Sequence, residues 1–157
     1  MNINYYPGHM VKAQNDIKSV IKLIDIVVEV LDARIPMSSR NPIVDELAKD
    51  KQRIVVLNKS DLADDEETKK WISFFEEKNI TAIAVNSSVP QDIKKIITEI
   101  SKKGDMAYKN KKESIELEYK PIYRVLIAGI PNVGKSTIIN KIAKRNAAEV
   151  SNKPGVT

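Results

Sequence analysis

Arg124-Val125-Leu126-Ile127-Ala128-Gly129-Ile130-Pro131-Asn132-Val133-Gly134-Lys135-Ser136-Thr137 runs from an apolar, β-branched stretch into a G-x-x-x-x-G-K-S loop, and Ile138, Ile139 and Ile142 continue it at helical spacing. The glycines let the backbone curl so that successive N–H groups point inward at a phosphate. The positive end of the following helix adds to that potential. Lys135 supplies a mobile charge for the β- and γ-phosphates and Ser136 an oxygen for Mg²⁺. A glycine turn with no ligand is the plain alternative, and the strand–loop–helix context argues against it. Asn132, Val133, Gly134, Lys135, Ser136 and Thr137 are therefore the expected phosphate-side contacts.

Outward from this loop, three more short apolar runs read as buried parallel strands: Ile26-Val27-Val28-Glu29-Val30-Leu31, Ile54-Val55-Val56-Leu57 and Thr81-Ala82-Ile83-Ala84-Val85. Helical patterns alternate with them. One carries Met10, Ala13, Ile17, Val20, Ile21 and Ile24. A second covers Pro42 to Lys49 behind Asn41 as cap. A third starts at the acidic run Asp64-Asp65-Glu66-Glu67 and continues through Trp71 and Phe75. A fourth has Ile93, Ile96, Ile97 and Ile100 as its stripe. Alternating strands and helices imply an α/β fold with a mostly parallel sheet covered on both faces. The charged segment 102–120 reads as a linker inside one domain spanning 1–157, because neither half has enough strands to stand alone.

Ligands of such sheets bind beyond the carboxyl ends of the strands, and each run ends in a polar signature. Asn58-Lys59-Ser60-Asp61 follows the second. The Asp61 carboxylate can accept from the ring N–H and exocyclic amine of guanine, which adenine does not offer in that arrangement. The Lys59 stem can lie over the base, and Asn58 can tie this loop to the phosphate loop. Asn86-Ser87-Ser88 follows the third run; its small residues can bring backbone N–H groups to the guanine O6, although the same residues also make an ordinary loop before Pro90. Leu31-Asp32-Ala33-Arg34 ends the first run, and there a structural Asp32–Arg34 pair is the favoured reading.

Composition narrows the classes. The 157 residues contain no cysteine, which excludes disulfides and thiol chemistry, and no apolar tract of membrane-spanning length. The N-terminus lacks the pattern of a signal peptide, so a cytoplasmic protein with no membrane or DNA partner is expected. The net charge of +5 is uneven: residues 1–100 hold 14 Lys and Arg against 16 Asp and Glu, whereas residues 101–157 hold 12 against 5. A basic second half is compatible with RNA, and equally with a phosphate site beside a solvated linker.

With these motifs in hand, the sequence resembles the YlqF/RbgA family of circularly permuted GTPases that act in assembly of the large ribosomal subunit. Tyr6-Pro7-Gly8-His9-Met10, Asp32-Ala33-Arg34-Ile35-Pro36 with Ser39-Arg40-Asn41-Pro42, Asn58-Lys59-Ser60-Asp61, the phosphate loop, and Pro154-Gly155-Val156-Thr157 carry the resemblance. It implies a P-loop NTPase three-layer fold in permuted order, GTP or GDP as ligand, Mg²⁺ as cofactor, and rRNA in the large subunit as partner. It also implies Thr157 as the switch threonine and second Mg²⁺ ligand, Asn132 as a K⁺ ligand, and His9 as a substitute for the water-orienting glutamine of Ras-like enzymes. No Asp-x-x-Gly occurs anywhere in the sequence, although that motif grips Mg²⁺ and the γ-phosphate. The chain is thus expected to be a fragment lacking the last strands and the family's C-terminal RNA-contacting domain, with weak or absent hydrolysis. Two other readings stand beside the GTPase: a nucleotide-sensing or RNA-binding module without productive hydrolysis, and a P-loop kinase or ATPase with an incidental Asn-Lys-Ser-Asp turn.

Overall fold

Among the described residues five strands form one sheet in the order β1-β5-β2-β3-β4, with every neighbouring pair parallel. They are β1 (Ile3–Pro7), β2 (Ile26–Asp32), β3 (Gln52–Asn58), β4 (Thr81–Ala84) and β5 (Tyr123–Ala128). The computed structural model describes residues 3–7, 20–111 and 123–151, with side chains over 20–107 and 123–145. The strand that leads into the phosphate loop comes last in sequence yet lies inside the sheet, between β1 and β2.

The helices are α1 (Pro42–Leu47), α2 (Asp65–Glu77), α3 (Pro90–Lys111) and α4 (Lys135–Ser151). Alternation along the strands sorts them into two outer layers. Ile26, Val28 and Val30 of β2, with Ile54, Val56, Val125 and Ile127, pack against Ile93, Ile96, Ile97 and Ile100 of α3 and Ile138 and Ile142 of α4. On the other face Leu31, Val55 and Leu57 meet Phe75 of α2, and Val27 and Leu126 meet Val44 of α1. Each fully buried aliphatic side chain contributes about 1.5–3 kcal/mol, which is why these runs carry Ile and Val on both faces. Local signals start the helices: the Asn41 side-chain Oδ1 accepts from the Ile43 N–H at 3.1 Å with Pro42 at the first position, and the Asp64 carboxylate accepts from the Glu67 N–H at 3.0 Å.

One charge interrupts the second face. Glu29, 2% exposed on β2, faces Arg40 Nε at 3.5 Å and Arg53 Nη2 at 3.6 Å. Burial pushes its carboxyl above the ordinary value, and the two arginines oppose that shift. Both arginines also pair with Asp45 of α1, Arg53 at 2.9 Å, and Arg40 lies over the Phe75 ring. The cluster fastens the 33–41 loop to the sheet.

Three expectations change. Strand β1 was not anticipated: Asn-Ile-Asn-Tyr-Tyr-Pro has little aliphatic character, and Pro7 is tolerated at a sheet edge, where a missing N–H costs little. The segment read as a linker from Lys102 continues as helix α3 to Lys111. An interior glycine costs a helix only about 1 kcal/mol, and Gly104 leaves room for the Tyr123 ring, which a Cβ would meet at 2.5 Å. The Tyr123 hydroxyl donates to the Asp105 carboxylate on the same turn. Of the first helical pattern, Val20 and Ile21 are helical and Ile24, though buried, lies past the helix in the turn before β2, while Met10, Ala13 and Ile17 lie outside the described residues.

Candidate nucleotide-binding site

The four polar signatures leave the sheet along a single edge. Asp32 is in register with Asn58 and Leu57 with Ala84, so the carboxyl ends of β2, β3 and β4 are nearly level, while Ala128 is in register with Glu29 and β5 gives way to the phosphate loop three residues earlier.

The phosphate loop is shaped by its own backbone. Asn132 (φ 72°) and Gly134 (φ 91°) occupy the left-handed region, two residues apart, which turns the chain sharply before α4 begins at Lys135. A Cβ on Gly134 would collide with Asn58 Nδ2. Lys135 Nζ donates to the Gly129 carbonyl at 3.2 Å and thus lies folded across the loop mouth; burial pulls its ammonium below the ordinary lysine value. A phosphate there would restore the lost solvation. Ser136 and Thr137 are exposed on the first turn of α4.

The base side is stitched to this loop by side chains. Asn58, 1% exposed, donates from Nδ2 to the Val133 carbonyl at 2.8 Å and accepts at Oδ1 from the Ser87 N–H at 3.2 Å. It therefore joins three of the four signatures through one buried amide. Lys59 adopts the left-handed region (φ 60°, ψ 34°), a conformation that costs a non-glycine residue on the order of 1–3 kcal/mol. Its ammonium donates to the Asn132 carbonyl at 2.7 Å, and the Ser60 N–H donates to the Val85 carbonyl at 3.0 Å. Asp61 follows in the 3₁₀ turn Ser60–Leu62, with its side chain exposed.

Asp32 is paired with Arg34, as the residue chemistry favoured. Arg34 Nε donates to Oδ1 at 3.0 Å and Nη2 to Oδ2 at 2.7 Å, while the Arg34 N–H donates to Oδ1 at 3.0 Å. The Arg34 hydrogen bonds hold the Asp32 carboxyl below the ordinary carboxylate value. Lys59 Nζ stands 3.7 Å from the same carboxylate, so Asp32 backs the lysine that is expected to flank a base. The Ser39 hydroxyl accepts from the Asp32 N–H and donates to the Pro36 carbonyl, both at 3.0 Å, which closes the loop.

The Asn86-Ser87-Ser88 loop differs from expectation in one respect. All three N–H groups already have acceptors within the protein: Asp92 Oδ2 at 2.8 Å for Asn86, Asn58 Oδ1 for Ser87, and Asn86 Oδ1 at 2.9 Å for Ser88. The Ser88 N–H is the one that can turn to a ligand cheaply, because its acceptor lies in an exposed contact and can be rehydrated. Two residues that the motifs did not indicate also act here. Asp92 holds Asn86, and Lys141 Nζ of α4 donates to the Ser87 carbonyl. An acidic residue in the first turn of α3 was a faint signal for the first; nothing in the sequence marks the second. His9 and Thr157 lie outside the described residues, and among those described no group of three or more Asp, Glu or His forms a metal cage.

Comparison with known proteins agrees with this geometry. The family of 50S ribosome-binding GTPases matches residues 124–157. Ribosome biogenesis GTPase A of Bacillus cereus is 48% identical over 159 aligned positions, covering 100% of this chain and 52% of that protein. The GNP-bound crystal structure of YlqF from T. maritima is similar with a TM-score of 0.61 and 37% identity, over 83% of this chain and 47% of that one. A GDP-bound YlqF structure gives the same TM-score at 35% identity, over 83% and 48% of the two chains. The chain spans about half the length of the curated relatives it matches.

Proposed function

We propose that this chain, which belongs to the YlqF/RbgA family of GTPases, is the nucleotide-binding part of a GTPase switch acting in assembly of the large ribosomal subunit. The observation that carries the nucleotide reading is the Asn58 amide, which locks the phosphate loop to the base-side loops across 75 residues of sequence. In this reading the diphosphate lies in the cradle before Lys135, and Lys59 flanks the base. The Asp61 carboxylate accepts from the guanine ring N–H and 2-amino group, each charge-assisted bond contributing about 1.5–3 kcal/mol. The relatives' printed names supply the ribosomal role, and the basic second half of the sequence is compatible with an rRNA partner in the cytoplasm.

The donor set suits Mg²⁺. That ion keeps much of its water and takes one or two protein oxygens beside the phosphates, and the exposed Ser136 hydroxyl at the first turn of α4 can provide one. Thr157 is proposed as a second ligand. Bound there, Mg²⁺ would neutralise charge on the β- and γ-phosphates. K⁺ at Asn132 and water positioning by His9 are proposed on family resemblance.

Titration with fluorescent GDP and ADP tests base recognition. GDP is expected to bind at least about 100-fold more tightly, two lost charge-assisted bonds being worth about 3 kcal/mol or more. Asp61→Asn is expected to exchange guanine for xanthine preference, because the amide can donate to the 2-oxo group. Equal affinity for GDP and ADP would refute the reading. The alternative reading for this stretch is nucleotide sensing without productive hydrolysis. Single-turnover GTP cleavage in KCl and NaCl at equal ionic strength, with and without large subunits, separates the two. The switch reading requires cleavage that the subunit accelerates. K⁺ and His9 are excluded as participants if rates match in both salts and in His9→Ala.

A further inference from the structure

Ser87 lies at the centre of the loop expected to face the guanine 6-oxo group, and the peptides on its two sides are each held by a side chain. Its N–H is given to Asn58 at the end of β3, and its carbonyl accepts from the Lys141 ammonium on α4. Lys141 is a half-buried residue standing six positions after Lys135, about 9 Å along the helix that begins at the phosphate loop. Its neighbours Ile138 and Ile142 are fully buried against the sheet, so the lysine projects from a fixed support.

We propose that Lys141 is a positioning residue for recognition of the guanine 6-oxo group, and that it couples the base-side loop to the helix carrying the phosphate loop. This rests on the guanine reading above. Removing the ammonium leaves the Ser87 carbonyl, in a part-buried contact, without its donor. The loop then keeps the Asn58 and Asp92 contacts on its N–H groups, and the plane of the Ser87–Ser88 peptide is left to the exposed Ser88 N–H bond to Asn86 Oδ1, the bond that a ligand oxygen would displace. The next N–H, that of Ser88, is the donor available to a ligand oxygen, and its direction depends on that plane. Lys141 thus acts on the base through the backbone without touching it.

The test is a coupling measurement with Lys141→Met and three diphosphates: GDP, IDP and the 2-aminopurine riboside diphosphate. The first two carry the 6-oxo group and the third lacks it. GDP and IDP are expected to bind about tenfold more weakly to the variant, the equivalent of about 1.4 kcal/mol, with the 2-aminopurine ligand unchanged within about twofold. Lys141→Arg, which keeps a donor of similar reach, is expected to restore GDP binding. An equal loss for all three ligands would reduce Lys141 to a general charge beside the phosphates or a fold determinant, and an unchanged GDP affinity would remove its role entirely. Either result overturns the proposal. If the methionine variant does not fold, Lys141→Gln is put through the same three titrations and judged by the same outcomes. Wild-type preference for GDP over ADP is read separately, so failure of guanine recognition cannot be mistaken for failure of the Lys141 role.

Discussion

The two sides of the crevice are built by opposite means. The phosphate loop is contiguous in sequence, and its shape follows from backbone conformations at Asn132 and Gly134 together with a helix start at Lys135. The base side is assembled from β2, β3, the loop after β4 and α4, and side-chain hydrogen bonds hold it: Asn58 to Val133 and Ser87, Lys59 to Asn132, Asp92 to Asn86, and Lys141 to Ser87. The first construction tolerates no Cβ at Gly134. The second distributes its strength over many polar contacts, so each loss should be partial. The difference also explains why permutation of the chain order leaves the crevice intact, since neither side depends on the covalent link between them.

Gly134→Ala is the severest way to test that contrast. The substitution puts a side chain at φ 91° and drives its Cβ into Asn58 Nδ2. The conformational cost is about 1–2 kcal/mol. Displacing the Asn58 amide also frees buried partners at roughly 1–3 kcal/mol each. Affinity for GDP and ADP is expected to fall alike by about two orders of magnitude or more, because the cradle is lost for any phosphate. Fluorescence titration of both nucleotides measures it. Loss confined to GDP would mean that the glycine serves the base side, and retention of both affinities would mean that the loop is not backbone-built.

The same contrast sets how much could be read from the sequence. Fold class, four of the five strands among the described residues and the loop at Gly129–Thr137 follow from local patterns, since period, β-branching and glycine spacing lie within a few residues of one another. Strand β1 did not show itself because pairing with β5, rather than its own apolar content, makes Ile3–Pro7 a strand. Helix α3 overran the expected linker because Gly104 is accommodated by Tyr123, nineteen residues further on. The buried Glu29 with Arg40, Arg53 and Asp45 looks like ordinary surface charge until the loop folds back over β2. Asn58, Lys59 and Asp61 were legible as a motif, and the Lys141 contact was not, because a lysine on a helix carries no local mark of a partner 54 residues away.

The smallest effect is expected at Asp32, where the base side is backed by an ion pair open to solvent. Its folded carboxyl titrates below the ordinary value of 3.8, chiefly through the Arg34 hydrogen bonds. A depressed carboxylate contributes stability that is fully present above the unfolded value and is lost as pH falls through the folded one. Asp32→Asn keeps an oxygen for the Arg34 N–H and leaves the backbone bond to Ser39 untouched, so the 33–41 loop should hold its form. Arg34 is 47% exposed, which screens the pair and keeps the loss at neutral pH small. Thermal midpoints between pH 3 and 7 should therefore decline less steeply on the acid side for the variant than for the wild type. The variant's curve should still slope, because Asp45 is also depressed, burial raising it but its two arginines together outweighing that, while Glu29 shifts the other way and acts equally in both proteins. Parallel curves would show that Arg34 stabilises Asp32 no better than water does, and the Asp32 carboxylate would then be needed only as the counter-charge 3.7 Å from Lys59.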